Sequence, residues 1–350
     1  MKARLADSDT RAATPAGQAA LDEYLLRGKL KVIELLPWVL CIAAFFALPD
    51  YLPLLSQVLV MIILALSLDL LVGYAGIVTL GHAAFFGIGA YAAGMLSLAG
   101  MRSVPGALVA GAIASAAAAG LVGALILRTR GLALLMLTMA VPLLLKEIAN
   151  RFPRHTGGAD GLQGIEFHPL FGAFEFDMFG RTAYVLAVAV AAATWLAVRY
   201  LTTTPFGKSL LGIRDNPIRM SSLGVSVRTR KLLVFVLAGA VAGLAGALST
   251  VLYQFVSLSV FSFELSGTLL VMLAIGGVGR LYGAFIGAPL YVIAQDTFSK
   301  SDPVFWLFWL GLGLVVLVMA APGGILSFAG RLRAGRSLKR ARDRLMSSMP

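Results

Sequence analysis

The chain has a single cysteine, three histidines and few charged residues. Cys41 stands alone in an apolar run, which excludes an intrachain disulfide and a thiolate metal site. His82 lies inside an apolar segment, while His155 and His168 fall in a polar stretch. No HExxH motif or Cys/His ligand spacing accompanies any of them. A GxSxG elbow is also missing, so nothing supports an enzyme or a bound metal. Charged residues make up 13% of the 350, and 59% are hydrophobic, whereas a soluble domain carries about 25% charge. No soluble core of this size could bury so much apolar surface, so the bilayer is the solvent. Basic residues exceed acidic ones by 12. They sit in short loops and near the chain ends, where they read as topology signals and not as a nucleic-acid footprint.

Residues 1–31 are polar and of mixed charge, with no apolar core before Val32. The first hydrophobic segment is therefore expected to stay as a span and not to be cleaved as a signal. Ten segments reach or approach the roughly 20 apolar residues that a crossing helix needs. They are 32–49, 52–72, 77–99, 104–127, 131–148, 182–201, 232–255, 265–279, 281–298 and 304–321. The third is rich in glycine and the eighth is short, so either could be broken or re-entrant. With the N-terminus inside and ten alternating spans, 22 of the 29 basic residues fall on the inner side and five on the outer. That asymmetry places both termini in the cytoplasm. The division that follows is an arm (1–31), a membrane domain (32–328) and a basic tail (329–350).

Two loops exceed simple turns. The outer one, 150–181, contains the turn-forming run TGGADG at 156–161. The inner one, 202–231, encodes a short helix: Asp215 or Asn216 suits the N-cap, Pro217 the first turn, and Gly224 the position past the end. Ile218 and Leu223 give it a small apolar face. So short a helix is marginal alone. It is either a connector lying on the protein's own spans or a docking element completed by a cytoplasmic partner.

Two nucleotide-like strings fail. Gly207-Lys208-Ser209 lacks the glycine that a P-loop needs at 202, and GIGAYA at 87–92 has no strand–turn–helix context. Gly239-xxx-Gly243 and Gly283-xxx-Gly287 have the spacing for close helix approach. The cluster Gly73, Gly76, Gly81, Gly87, Gly89 and Gly94 has two readings. One is close packing; the other is a broken helix lining a permeation path, with His82 facing it. Asp69, Lys146, Glu147 and Asp296 lie in or near spans, where facing lipid is costly. Lys146 and Glu147 can snorkel at a boundary, and Asp69, one turn before Gly73, reads as interfacial. No run of charges crosses the mid-membrane, which counts against an ion-driven transporter.

The run GYAGIVTLGHAAFFGIGAY (73–91) resembles the glycine-rich segment of the branched-chain amino acid ABC permeases, in particular their Liv-type M-subunit branch. TRG at 129–131, TGGADG at 156–161, FGKSLLGIRDNP at 206–217 with SLGV at 222–225, and IGGVG at 275–279 resemble further stretches of that family, in order over about 30–328. Lys146-Glu147 is a departure, being more charged than the family segment.

The resemblance implies an all-α integral membrane permease of about ten transmembrane helices, similar to the type II importers. It also implies a bacterial inner-membrane assembly with a second homologous permease subunit, two cytoplasmic ATPases and an external solute-binding protein. The chain itself would bind no cofactor, ATP and Mg being used by the ATPases, and no nucleic acid. Coupling to the ATPase falls to Arg214, Asp215, Asn216, Pro217, Leu223 and Gly224. The translocation path falls to Gly73, Gly76, Gly81, His82, Gly87 and Gly89, and binding-protein docking to Thr156, Gly157, Gly158, Asp160 and Gly161. The expected cargo is leucine, isoleucine and valine. Urea, short amides or aromatic acids within the same family, an ion-coupled secondary transporter and a non-transporting scaffold are the alternatives.

Overall fold

The structure, a computed structural model, describes residues 36–129, 131–169, 180–320 and 324–325. The arm at 1–31 and the tail at 329–350 lie outside the described residues. Residues up to Phe46 form one unit and those from Ala47 onward a second. The described part of the first unit is an apolar helix, α1 (Leu36–Ala47).

Every one of the ten apolar segments contains a helix. After α1 come α2 (Leu52–Asp69), α3 (His82–Leu98), α4 (Val104–Ile126), α5 (Leu132–Arg151) and α6 (Arg181–Thr203). The 202–231 loop holds two helices, α7 (Pro205–Asp215) and α8 (Pro217–Ser222), before α9 (Val227–Tyr253), α10 (Phe263–Gly276), α11 (Leu281–Ser301) and α12 (Trp306–Ala320). Proline occupies the first turn of α2, α4, α7 and α8, where its missing N–H costs nothing.

Five helical stretches among the described residues are long and apolar enough to cross a bilayer: Pro49–Tyr74, Val104–Ile126, Leu132–Arg151, Arg181–Thr203 and Val227–Tyr253. α10 and α11 add at most one more, meeting at a bend of 115°. α1, α3 and α12 are shorter apolar helices. The described residues thus form an all-helical membrane protein with five or six full-length spans among them by length and composition.

α2 is the central element of the larger unit. It is buried almost continuously from Val58 to Asp69, with α6, α9, α10 and α11 packed against it. α9 lies between α3 and α4 through small residues. A side chain at Gly239 would strike Ala119, one at Gly243 would strike Ser115 and the Gly111 carbonyl, and one at Gly246 would strike the Phe86 carbonyl. Close backbone approach of this kind is what holds helices together where lipid removes the hydrophobic drive. Hydroxyls complete the contact: Ser115 Oγ donates to the Phe85 carbonyl at 2.6 Å, and Thr250 Oγ1 to the Ala90 carbonyl at 3.0 Å. Large apolar side chains on α4 and α5, among them Ile113, Leu121, Leu132 and Met136, point outward, as suits a chain solvated by hydrocarbon.

Candidate functional site

α2 does not end as an ordinary helix. Its last turn widens into a π-turn over Leu70–Tyr74, a local form that often marks functional positions. The chain then unwinds through 75–81 before α3 begins at His82. Two remote stretches converge on this break. Arg214, at the end of α7, donates through Nη1 to the Gly73 carbonyl. The Gly279 N–H donates to Asp69 Oδ1 at 2.7 Å. The Arg214 side chain also pairs with Asp215 at 3.5 Å, and its charge acts on Asp69. Gly73 and Gly279 touch backbone to backbone, so a Cβ at Gly73 has no room. Gly279, at φ +76°, adopts a conformation that favours glycine.

Asp69 reads as interfacial in the sequence, and the fold encloses it: it is 0% exposed, and its Oδ2 has no hydrogen-bond partner among the described residues. A carboxylate in that position is costly, and here the cost is offset by the Gly279 amide and the nearby guanidinium. Asp69 and Gly279 are the residues that the sequence reading left out of the site. The available signal was a carboxylate one turn ahead of a glycine in an apolar segment.

The 202–231 loop is built as its caps foretell, with one addition, helix α7, which is capped by Thr204. Asn216 caps α8, its Oδ1 accepting from the Arg219 N–H at 2.9 Å, and Pro217 opens the helix. Gly224 follows at φ +81°. α8 packs on α7 where Met220 covers Gly212. Ile218 and Leu223 are 78% and 71% exposed, so the apolar face of α8 does not lie on the protein's own spans. Asp215, Asn216 and Pro217 are exposed beside them. Arg214 therefore has its backbone at this exposed corner and its guanidinium on the break after α2.

The glycine segment is enclosed. Gly73, Gly81, His82, Gly87 and Gly89 are buried, and only Gly76 of the six path candidates is exposed. Gly81 fits against the Thr138 backbone, Gly87 against Phe261, and Gly89 against Gly243. The backbone donors at the start of α3 are taken within the chain: Leu80 N–H by Thr138 Oγ1 at 3.3 Å, Gly81 N–H by Thr79 Oγ1 at 3.2 Å, and Ala83 N–H by Ser266 Oγ at 3.0 Å. His82 Nε2 lies 2.6 Å from Ser67 Oγ, and the ring meets Phe85 edge-on. Within this chain their small size serves helix packing, and the His82 Nδ1 is left without a hydrogen-bond partner among the described residues.

At the other end of α3 the loop that follows α5 forms its own structure. Thr156 is buried, donating to the Ala149 and Phe152 carbonyls and accepting from the Gly158 N–H. Gly157, Gly158 and Gly161 all have positive φ, and Gly157 and Gly161 face backbone carbonyls too close for a side chain. Next to them Leu162 and Val256 form an antiparallel bridge. Of the five docking candidates only Asp160 is fully exposed; the rest hold the loop's shape. Among the described residues no group of His, Cys, Asp or Glu side chains comes together that could hold a metal.

Residues 51–321 match the family of the branched-chain amino acid transport system permease component. The chain is 28% identical to LivM, the high-affinity branched-chain amino acid transport system permease protein of Escherichia coli, over 88% of this chain and 77% of that protein. It is 24% identical to LivH of Methanocaldococcus jannaschii, a probable branched-chain amino acid transport permease, over 76% of this chain and 88% of that one. A shorter stretch, 33% of this chain and 38% of its relative, is 33% identical to the ribose import permease RbsC of Bacillus subtilis. No solved structure matches the chain.

Proposed function

The chain belongs to the family of branched-chain amino acid transport permease components, and we propose that it carries leucine, isoleucine and valine inward as one membrane subunit of an ATP-driven importer. Its ten apolar helices would each cross or enter the membrane, with both termini in the cytoplasm. A second permease subunit would flank the path, an external binding protein would deliver the solute, and two ATPases would supply the energy.

One observation carries the coupling role of the 202–231 loop. Arg214 belongs to an exposed helical corner with an uncovered apolar face, yet its side chain grips the Gly73 carbonyl where α2 breaks. A partner pushing on α8 would thus move a group bonded to the most buried helix of the molecule. Ile218 and Leu223 supply the apolar contact, and the cap at Asn216 keeps α8 rigid enough to transmit a push. At the far side, Asp160 is the exposed polar contact for the binding protein, and Thr156 with the neighbouring glycines sets its position.

The test is a double substitution, Asn216→Ala with Pro217→Gly, in the importer reconstituted with its ATPases and binding protein. ATP hydrolysis continues while solute uptake falls, so more ATP is spent for each solute carried. Uptake and hydrolysis that stay in the wild-type ratio would sink the coupling assignment.

A further inference from the structure

A cavity of about 530 Å³ opens among α2, α9, α10, α11 and the start of α12, within the ~300–1,000 Å³ range of small-molecule sites. No local sequence pattern announces it, because its lining comes from six separate helices, α3 included, and the 258–261 turn. Gln57, Glu264 and Gln295 supply polar groups to its lining, and Met61, Phe86, Met272 and Val292 supply apolar ones. Glu264 is the only formally charged residue in the lining, and no salt bridge involves it among the described residues. Tyr291, 9% exposed, lies 3.3 Å from Thr268 through their hydroxyls, and both border the cavity.

The cavity sits at the docking-loop end. Tyr253 and Ser259 both line it, and between them Val256 bridges to Leu162. Gly161 packs against the Val256 carbonyl. The loop 156–161 is therefore joined through its own backbone to the rim of the cavity.

We propose that this cavity is a subsite, within this one chain, for an aliphatic α-amino acid in passage, with Glu264 as its ammonium-binding group. The proposal rests on the importer reading above and names the substrate contacts that reading leaves open. Glu264 is exposed, in the first turn of α10, so its carboxylate is open to an incoming cation, and an α-ammonium is one. The amides of Gln57 and Gln295 and the tyrosine and serine hydroxyls can donate to the ligand's carboxylate. The methionines, Phe86 and Val292 receive a branched side chain, the methionines adapting to leucine, isoleucine or valine. Urea or a bare carboxylic acid would leave Glu264 without a counter-charge, so the lining selects against them.

The experiment uses the whole reconstituted importer, with L-leucine as the probe and three variants: Glu264→Gln, Glu264→Asp and Ser249→Trp. The last places an indole in the cavity without touching the charge. Leucine uptake falls by about tenfold or more in Glu264→Gln, as expected for losing a hydrogen bond to a charged group. It recovers in part in Glu264→Asp and falls again in Ser249→Trp. ATPase stimulation by the loaded binding protein stays within about twofold of wild type, a split that a merely structural role would not give. Wild-type uptake in both Glu264→Gln and Ser249→Trp would overturn the subsite, as would a cavity filled by lipid, which gives that same result. Loss of ATPase stimulation together with uptake would also overturn it, since the residues would then serve docking or folding. A wild-type importer that takes up none of the three branched-chain amino acids would bring down the importer reading and the subsite with it.

Discussion

At one end of α3 the polypeptide is tied by charge and backbone. Arg214 reaches the Gly73 carbonyl across 141 residues of sequence, and Asp69 holds the Gly279 amide across 210. At the other end the ties are shorter in sequence and neutral: Ser97 Oγ donates to the Glu166 carbonyl at 2.6 Å across 69 residues, and the His168 N–H to the Arg102 carbonyl at 2.9 Å. The first set leaves no free volume, since even a methyl at Gly73 would collide with Gly279. The second set holds residues 166–168 to the end of α3 and the turn after it through main-chain carbonyls. A carboxylate and a guanidinium with little room are suited to passing a displacement between elements. Neutral ties of this kind are suited to holding a loop in shape.

The sharpest way to break this comparison is at Asp69. Asp69→Ala removes the acceptor of the Gly279 amide, and an unpaired donor there costs about 1–3 kcal/mol. Asp69→Asn keeps an oxygen at the same place and loses only the charge facing Arg214, so its loss should be smaller. Thermal unfolding of the purified importer, followed by intrinsic fluorescence, should rank the wild type first, Asp69→Asn second and Asp69→Ala last. If Asp69→Ala unfolds at the wild-type temperature, the charged end is not a tie at all.

A smaller effect is expected at the neutral end. Thr156→Val is nearly isosteric but removes a hydroxyl that serves the Ala149 and Phe152 carbonyls and the Gly158 amide. The loss should be about 1 kcal/mol, confined to the loop. It is visible as faster amide exchange over 156–162, with exchange around Asp69 unaltered. Faster exchange at both ends would mean that they do not behave as separate regions.

What was legible in the sequence follows the range of the forces. Asn216, Pro217 and Gly224 mark α8 because a cap acts within three or four residues, and the ten apolar runs mark ten helices because each needs only its own composition. α7 was missed, since a segment carrying Pro205, Gly207, Lys208 and Arg214 looks like loop. The purpose of the glycines was half legible. Their density announced packing or a path, and the packing partners Thr138, Phe261 and Gly243 are ones that no local pattern names. Asp69 was read by distance from the span end, although its burial is decided by Gly279 and Arg214, which arrive from elsewhere in the chain. Span counting meets the same limit: α10 and α11 read as two segments, and by length and composition they pass as a spanning stretch only when taken together, across a 115° bend.

The smallest effect tests whether charge matters at the neutral end at all. Arg102 and Glu166 form an ion pair there at 3.0 Å, but their side chains are 45% and 67% exposed. An exposed pair contributes a few tenths of a kcal/mol, and salt screens it. The link between the two segments is carried instead by main chain, with the His168 N–H on the Arg102 carbonyl, which a side-chain change leaves in place. Arg102→Ala should therefore shift the unfolding temperature by less than Thr156→Val does. Raising the salt should remove even that difference, whereas the loss in Asp69→Ala should persist because Asp69 is shielded from solvent. A salt-sensitive loss in Arg102→Ala larger than that of Thr156→Val would mean that both ends rely on charge, and the contrast between them would fall.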